Sequence, residues 1–118
     1  GCRGMHRIRG LDLQRREASA LWVIEQVRDL AREIRSRRRI SVIILYGSFA
    51  RGDFHEGSDV DLIVVGDFRE RPHRRAATIL DLTDLPIEPI CYTEEEFAEL
   101  VRSKNPFIRE ALAEGIRV

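Results

Sequence analysis

Apolar positions change their period several times along the chain, and each change marks an element. From Leu13 to Ile34 the residues Leu21, Ile24, Val27, Ala31 and Ile34 recur at helical spacing, with Arg and Glu between them, which predicts one long amphipathic helix. Ile40–Tyr46 is a near-continuous apolar, β-branched run, as in a strand covered on both faces or nearly so, and Gly47 ends it. Asp59–Val65 alternates, with Asp59, Asp61, Ile63 and Val65 on one face of a second strand. After a charged connection, Gly66–Pro72, Pro72 is placed to open a helix reaching about Leu82. Ile87–Tyr92 is a third strand. Pro89 removes one ladder hydrogen bond there and points to an edge position or a bulge. Thr93-Glu94-Glu95-Glu96 has the form of a capping box and starts a helix to about Ser103. Asn105-Pro106 starts another, which Gly115 terminates.

This order predicts an α/β (α+β) single domain, a small mixed β-sheet with helices packed on it. The domain is expected over residues 12–118. Residues 1–11 are expected as an N-terminal tail, with Gly1-Cys2-Arg3-Gly4 ahead of Met5 as an expression remnant. The 118 residues suit one domain, and 43% hydrophobic with 34% charged residues is a globular composition. No apolar run approaches the roughly 18 residues of a membrane helix, so no membrane partner is expected. Two cysteines build no disulfide framework, which sets the expected compartment as a reducing cytoplasm. Net charge is zero but uneven: residues 1–39 carry eleven Arg against five acids, and residues 76–118 carry four bases against nine acids. The neutral total sets nucleic acid aside as the main partner.

The chemistry concentrates between Gly47 and Asp61. Asp59 and Asp61 stand two apart on a strand, so both carboxylates project from one face and raise each other's pKa unless a cation lies between them. Hard oxygen ligands of this kind suit Mg²⁺, which takes one or two carboxylates and completes its shell with phosphates and water. Leu62-Ile63-Val64-Val65 follows, so these charges sit at the end of an interior strand. Gly47-Ser48 leaves a buried strand and precedes Phe49-Ala50-Arg51, one helical turn. A glycine there permits close backbone approach, a helix start offers N–H groups to phosphate, and Arg51 is one turn on with a guanidinium fork. A phosphate-holding turn feeding a paired-carboxylate strand is equipment for in-line displacement at phosphorus.

Gly47-Ser48, ten intervening residues, and Asp59-Val60-Asp61 resemble the signature of the DNA polymerase β-type nucleotidyltransferase superfamily, and Arg51-Gly52 and Ser58 extend the match. The length, and the ending from Asn105-Pro106-Phe107-Ile108-Arg109-Glu110 to Glu114-Gly115-Ile116, resemble its minimal nucleotidyltransferases. Those are encoded beside HEPN-domain partners as toxin–antitoxin pairs. The resemblance implies a polymerase β palm-like fold. It also implies nucleotide binding by Gly47, Ser48, Arg51 and Ser58, and two Mg²⁺ ions on Asp59, Asp61 and Glu88. Glu88, in Ile87-Glu88-Pro89-Ile90, matches the position of the superfamily's third carboxylate, a metal ligand and general base. Glu in place of Asp lengthens the arm by one methylene.

The expected function is Mg²⁺-dependent transfer of a nucleoside monophosphate, AMP from ATP or another NTP, to an acceptor hydroxyl. The 118 residues leave no room for an acceptor-binding domain, so a partner is expected to bring the acceptor, which favours protein modification; by family analogy alone that acceptor is a tyrosine of a HEPN toxin. The alternative is a non-catalytic nucleotide-binding module that neutralises a HEPN partner by contact. A third is nucleotidylation of a small molecule. His55 is expected as a surface loop residue, Cys91 as a small buried apolar one, and Trp22 and Phe97 as packing between helix and sheet. Tyr46 is expected mainly in core packing. Oligomeric state is left open.

Overall fold

The computed structural model describes residues 2–54 and 58–118, of which 2–19 as backbone alone. Helix α1 spans Cys2–Arg37, β1 Ile40–Tyr46, α2 Ser48–Arg51, β2 Val60–Gly66 and α3 Pro72–Leu80. β3 spans Ile87–Tyr92, α4 Glu94–Arg102, α5 Pro106–Glu114 and β4 Ile116–Arg117. Helix α1 extends beyond the periodic stretch at both ends and runs through most of the expected tail. Arginine is a good helix former, and each residue added to an existing helix gains a hydrogen bond without repeating the nucleation cost. Arg35 and Arg37 in the last turn complement the helix dipole.

The sheet is four-stranded and mixed, in the order β3-β2-β1-β4. β1 is antiparallel to β2 and β4, and β2 is parallel to β3 with α3 as the crossover. β3 lies at the edge, where Pro89, opposite Leu62, removes a donor without interrupting an interior ladder. β4 is an addition to the sequence-based expectation. Gly115 does end α5, but with an extended backbone (φ −74°), not a left-handed one. A side chain on it would strike the carbonyl of Ala111 and the side chain of Ile44, so glycine there serves close approach. The chain turns straight into β4, and Ile116 pairs with Leu45.

The strand faces carry different loads. Ile43 and Leu45 of β1 and Val60, Leu62 and Val64 of β2 pack against Val27, Leu30, Ala31 and Ile34 of α1 and Ile79 of α3. Ile44, Ile63 and Val65 face the other way, onto Ile108 and Ala111 of α5 with Phe97 and Leu100 of α4 beside them. Phe97 therefore packs as expected. Trp22 does not: it is 55% exposed, because the helix turns about 100° per residue and Val23 and Val27 occupy the core stripe. Cys91 is half-buried against the α1/α3 cluster, and burial pushes its thiol up to about 11, so it stays an uncharged thiol.

Most of the arginines at the end of α1 are tied down internally. Arg35 donates to the carbonyl of Val118 at 2.9 Å, Arg37 pairs with Glu33 at 2.8 Å, and Arg38 pairs with Glu70 at 2.9 Å. Arg38 also lies over the ring of Phe68, 4.7 Å from its centroid. Arg75 of α3, only 7% exposed, donates to Glu96 at 2.5 Å, to the carbonyl of Glu70 at 3.1 Å and to that of Cys91 at 3.3 Å. A buried guanidinium needs such a full set of acceptors, and this one ties α3 to the end of β3 and the start of α4.

Candidate active site

The strand register sets the site. Tyr46 lies opposite Asp61 in the β1–β2 pair, and Asp61 lies beside Glu88 in the β2–β3 pair. Tyr46, Asp61 and Glu88 thus form one row across three strands, on the face that Ile63 and Val65 share by alternation. β2 is interior, so Asp61 is a carboxylate at the end of a buried strand, as its sequence context implied. Asp59 precedes β2 and is exposed, as is Glu88 on the edge strand.

Gly47 joins the turn into α2 to this row. Its φ is +76°, a region a side chain disfavours, and a Cβ placed on it would collide with Oδ2 of Asp61. The turn and the carboxylate therefore touch, a contact invisible in the spacing of residues 47 and 61. Single-turn α2 starts at Ser48, and the backbone N–H groups at a helix start have no acceptor within the helix. Ser48 is half-buried, and Phe49 is buried, stacked on Phe54 at 4.6 Å, which anchors the turn. Arg51 is exposed and pairs with Asp53 at 3.3 Å, and its charge also reaches Asp61. Ser58 lies half-buried immediately before Asp59, while His55, Glu56 and Gly57 lie outside the described residues.

Burial holds the Asp61 carboxyl above its ordinary value, the like charges of Glu88 and Asp59 and hydrogen bonding with Glu88 push it further, and Arg51 partly offsets them. Burial, with Asp61 next, pushes the Tyr46 phenol up to about 12, so it remains a neutral hydroxyl. Among the described residues no three His, Cys, Asp or Glu side chains converge closely enough to enclose a metal ion. The donor chemistry nevertheless suits a hard divalent cation. Neighbouring carboxylates whose mutual repulsion Arg51 offsets only in part present oxygen ligands that such an ion neutralises.

Helix α5 forms a wall of the site that sequence reasoning passed over. Its side chains and the Gly47–Arg51 turn border a groove of about 140 Å³. Tyr46, Gly47 and Arg51 line one side, and Phe107, Glu110 and Glu114 the other. The rings of Tyr46 and Phe107 meet edge to face at 5.3 Å. Tyr46 thus packs partly into the core, as expected, and also borders the groove. The sequence signal was present: Phe107, Glu110, Ala111 and Glu114 fall at i, i+3, i+4 and i+7, one stripe of a helix.

The model of the nucleotidyltransferase domain family matches residues 27–118. A curated protein of Methanocaldococcus jannaschii, named "Putative protein adenylyltransferase", is 61% identical over 31 residues, which are 26% of this chain and 31% of that protein. A second protein of the same organism and description is 28% identical over 106 residues, spanning 81% of this chain and 98% of that one. The fold resembles a crystal structure described as a "putative nucleotidyltransferase" from Sulfolobus solfataricus, with a TM-score of 0.61 and 20% identity over 71% of this chain and 78% of that one.

Proposed function

Because the chain belongs to the nucleotidyltransferase domain family, we propose that it transfers AMP from ATP to a hydroxyl of an acceptor protein. The observation that carries this reading is the contact of the Gly47 turn with Asp61, beside Glu88, which supports reading the turn as a phosphate cradle next to metal-binding carboxylates. Two relatives named as protein adenylyltransferases support the protein acceptor. The N–H groups of the Ser48 turn, the Ser48 hydroxyl and Arg51 hold the β- and γ-phosphates, and Ser58 lies at the nucleotide side. Asp59, Asp61 and Glu88 would hold Mg²⁺, whose charge offsets that of the phosphates and of the departing pyrophosphate. The acceptor oxygen forms a bond to the α-phosphorus as the bond to the bridging oxygen breaks, and pyrophosphate leaves. The hydroxyl proton passes to a carboxylate of the row, Glu88 being the exposed one.

The acceptor suggested by the family resemblance is a tyrosine of a HEPN-domain toxin, with the chain as its antitoxin. A second reading, neutralisation by contact alone, draws on one feature: Glu88 is exposed on an edge strand and is followed by Pro89. Intact mass spectrometry of the product of the gene adjacent to this one, after incubation with this chain and Mg²⁺-ATP, separates the two. A gain of one or more AMP groups, lost in the Asp59→Asn/Asp61→Asn double variant, supports transfer. An unchanged mass in a stable complex overturns it and leaves the contact reading.

A further inference from the structure

Phe107 is 39% exposed, yet it sits where an aromatic ring has least reason to stay wet, at the edge of the site. It is also held in place. The Asn105 side chain accepts from the N–H groups of Phe107 and Ile108, at 3.0 and 3.2 Å, fixing the first turn of α5. At the other end, Gly115 packs onto Ile44, and β4 ties the helix to β1. The Asn105 cap thus orders the first turn that carries Phe107, whose ring meets Tyr46, and the far end of the helix is held against β1. Ala111, small and buried, leaves the floor of the groove open between Phe107, Glu110 and Glu114.

We propose that this groove is the nucleobase site, with Phe107 as the stacking platform and Glu110 and Glu114 reading the base edge. The inference rests on the reading of Gly47-Ser48 as the phosphate turn, since Gly47 and Arg51 line the same groove. A volume near 140 Å³ is well below the roughly 300 Å³ of a pocket for a whole drug-sized ligand, and suits one flat ring system. Ionised carboxylates only accept hydrogen bonds. They pair with the amino groups that adenine and cytosine carry at N6 and N4, and repel the carbonyl oxygen that uracil carries at the equivalent position. The site therefore favours adenine and cytosine over uracil.

Calorimetric titration of the full chain in Mg²⁺ buffer with ATP, UTP and inorganic tripolyphosphate tests this. ATP is expected to bind about tenfold or more tighter than tripolyphosphate, the usual scale of one base stacked on an aromatic ring. Phe107→Leu, which keeps an apolar side chain, and Phe107→Ala should both erase that advantage and leave tripolyphosphate binding unchanged. Glu110→Gln, which adds a donor, should narrow the gap between ATP and UTP. Equal affinity of the wild type for ATP and tripolyphosphate, or an unchanged ATP affinity in Phe107→Leu, overturns the base site alone. Failure of the wild type to bind tripolyphosphate overturns the phosphate turn and this inference with it.

Discussion

On the face of the sheet under α1 and α3, fifteen buried apolar side chains among the described residues form one cluster, running from Val23 to Ile87. On the opposite face, under α4 and α5, the buried cluster has five members, and the end of that face is occupied by Tyr46, Asp61 and Glu88. The same three strands supply both faces. Because side chains alternate along a strand, Leu62 and Asp61 are neighbours in sequence with opposite environments. One face can thus be packed for stability while the other leaves room for charge. Asp61 costs the fold something, since burial and like charge both disfavour its ionised form, and the α1/α3 face supplies the stability that tolerates it.

Asp61→Asn should separate the faces most sharply. AMP transfer should fall about 10³-fold, or about 4 kcal/mol in the barrier, in a labelled-ATP assay. The thermal midpoint should stay the same or rise, because the like-charge repulsion goes with the carboxylate. Leu62→Ala on the other face should do the reverse, lowering stability in urea by about 3 kcal/mol through a cavity at a fully buried position. An Asp61→Asn protein that unfolds as readily as Leu62→Ala would break the comparison, since the carboxylate would then be a structural element.

Gly47→Ala and Gly52→Ala sharpen it further. Both glycines have positive φ, but a Cβ at Gly52 meets nothing, whereas one at Gly47 meets Asp61. Gly52→Ala should cost about 1 kcal/mol from the backbone alone, with nucleotide binding retained. Gly47→Ala should cost more than that and also displace Asp61, abolishing ATP binding by calorimetry. Equal effects of the two would mean that the contact with Asp61 carries no weight.

The smallest effects are expected at the α4 start, where Thr93 and Glu96 form the reciprocal cap. Thr93→Ala should lower stability by about 1 kcal/mol in urea. The N–H of Thr93, and then Arg75, hold the Glu96 carboxyl below its ordinary value of 4.5. A lowered carboxyl binds protons more weakly folded than unfolded. Its contribution to stability is therefore complete above about pH 4.5 and fades as the pH falls further. Glu96→Gln should flatten that acid limb of the midpoint-versus-pH curve, with little change in transfer activity at neutral pH.

Local patterns reveal local structure here. The period-3.6 stripe of α1, the alternation of β2, the Thr93 cap and the Asn105-Pro106 start depend on residues within a few positions of one another, so they were legible from the sequence. Pro89 narrowed β3 to an edge position or a bulge, and the strand order shows it to be the edge. Trp22 misled, since an aromatic residue in an amphipathic helix is apolar whichever way it faces, and only the packing of Val23 and Val27 decides which stripe is inside. β4 was too short to show a period.

The sequence by itself determined most of the elements, the family motif and the chemical type of each site residue, because these follow from side-chain chemistry and near-neighbour spacing. Tertiary structure alone decided which of them meet. Glu88 comes beside Asp61 only through the parallel register of β2 and β3, across a crossover. Gly47 touches Asp61 only because β1 and β2 pair in one register, and a slip of one residue would turn Asp61 to the other face. Phe107 and Glu110, more than fifty positions from Gly47, join the site only because β4 draws α5 back against β1. Contacts between distant residues depend on strand pairing and packing, which act through space and leave no spacing to read.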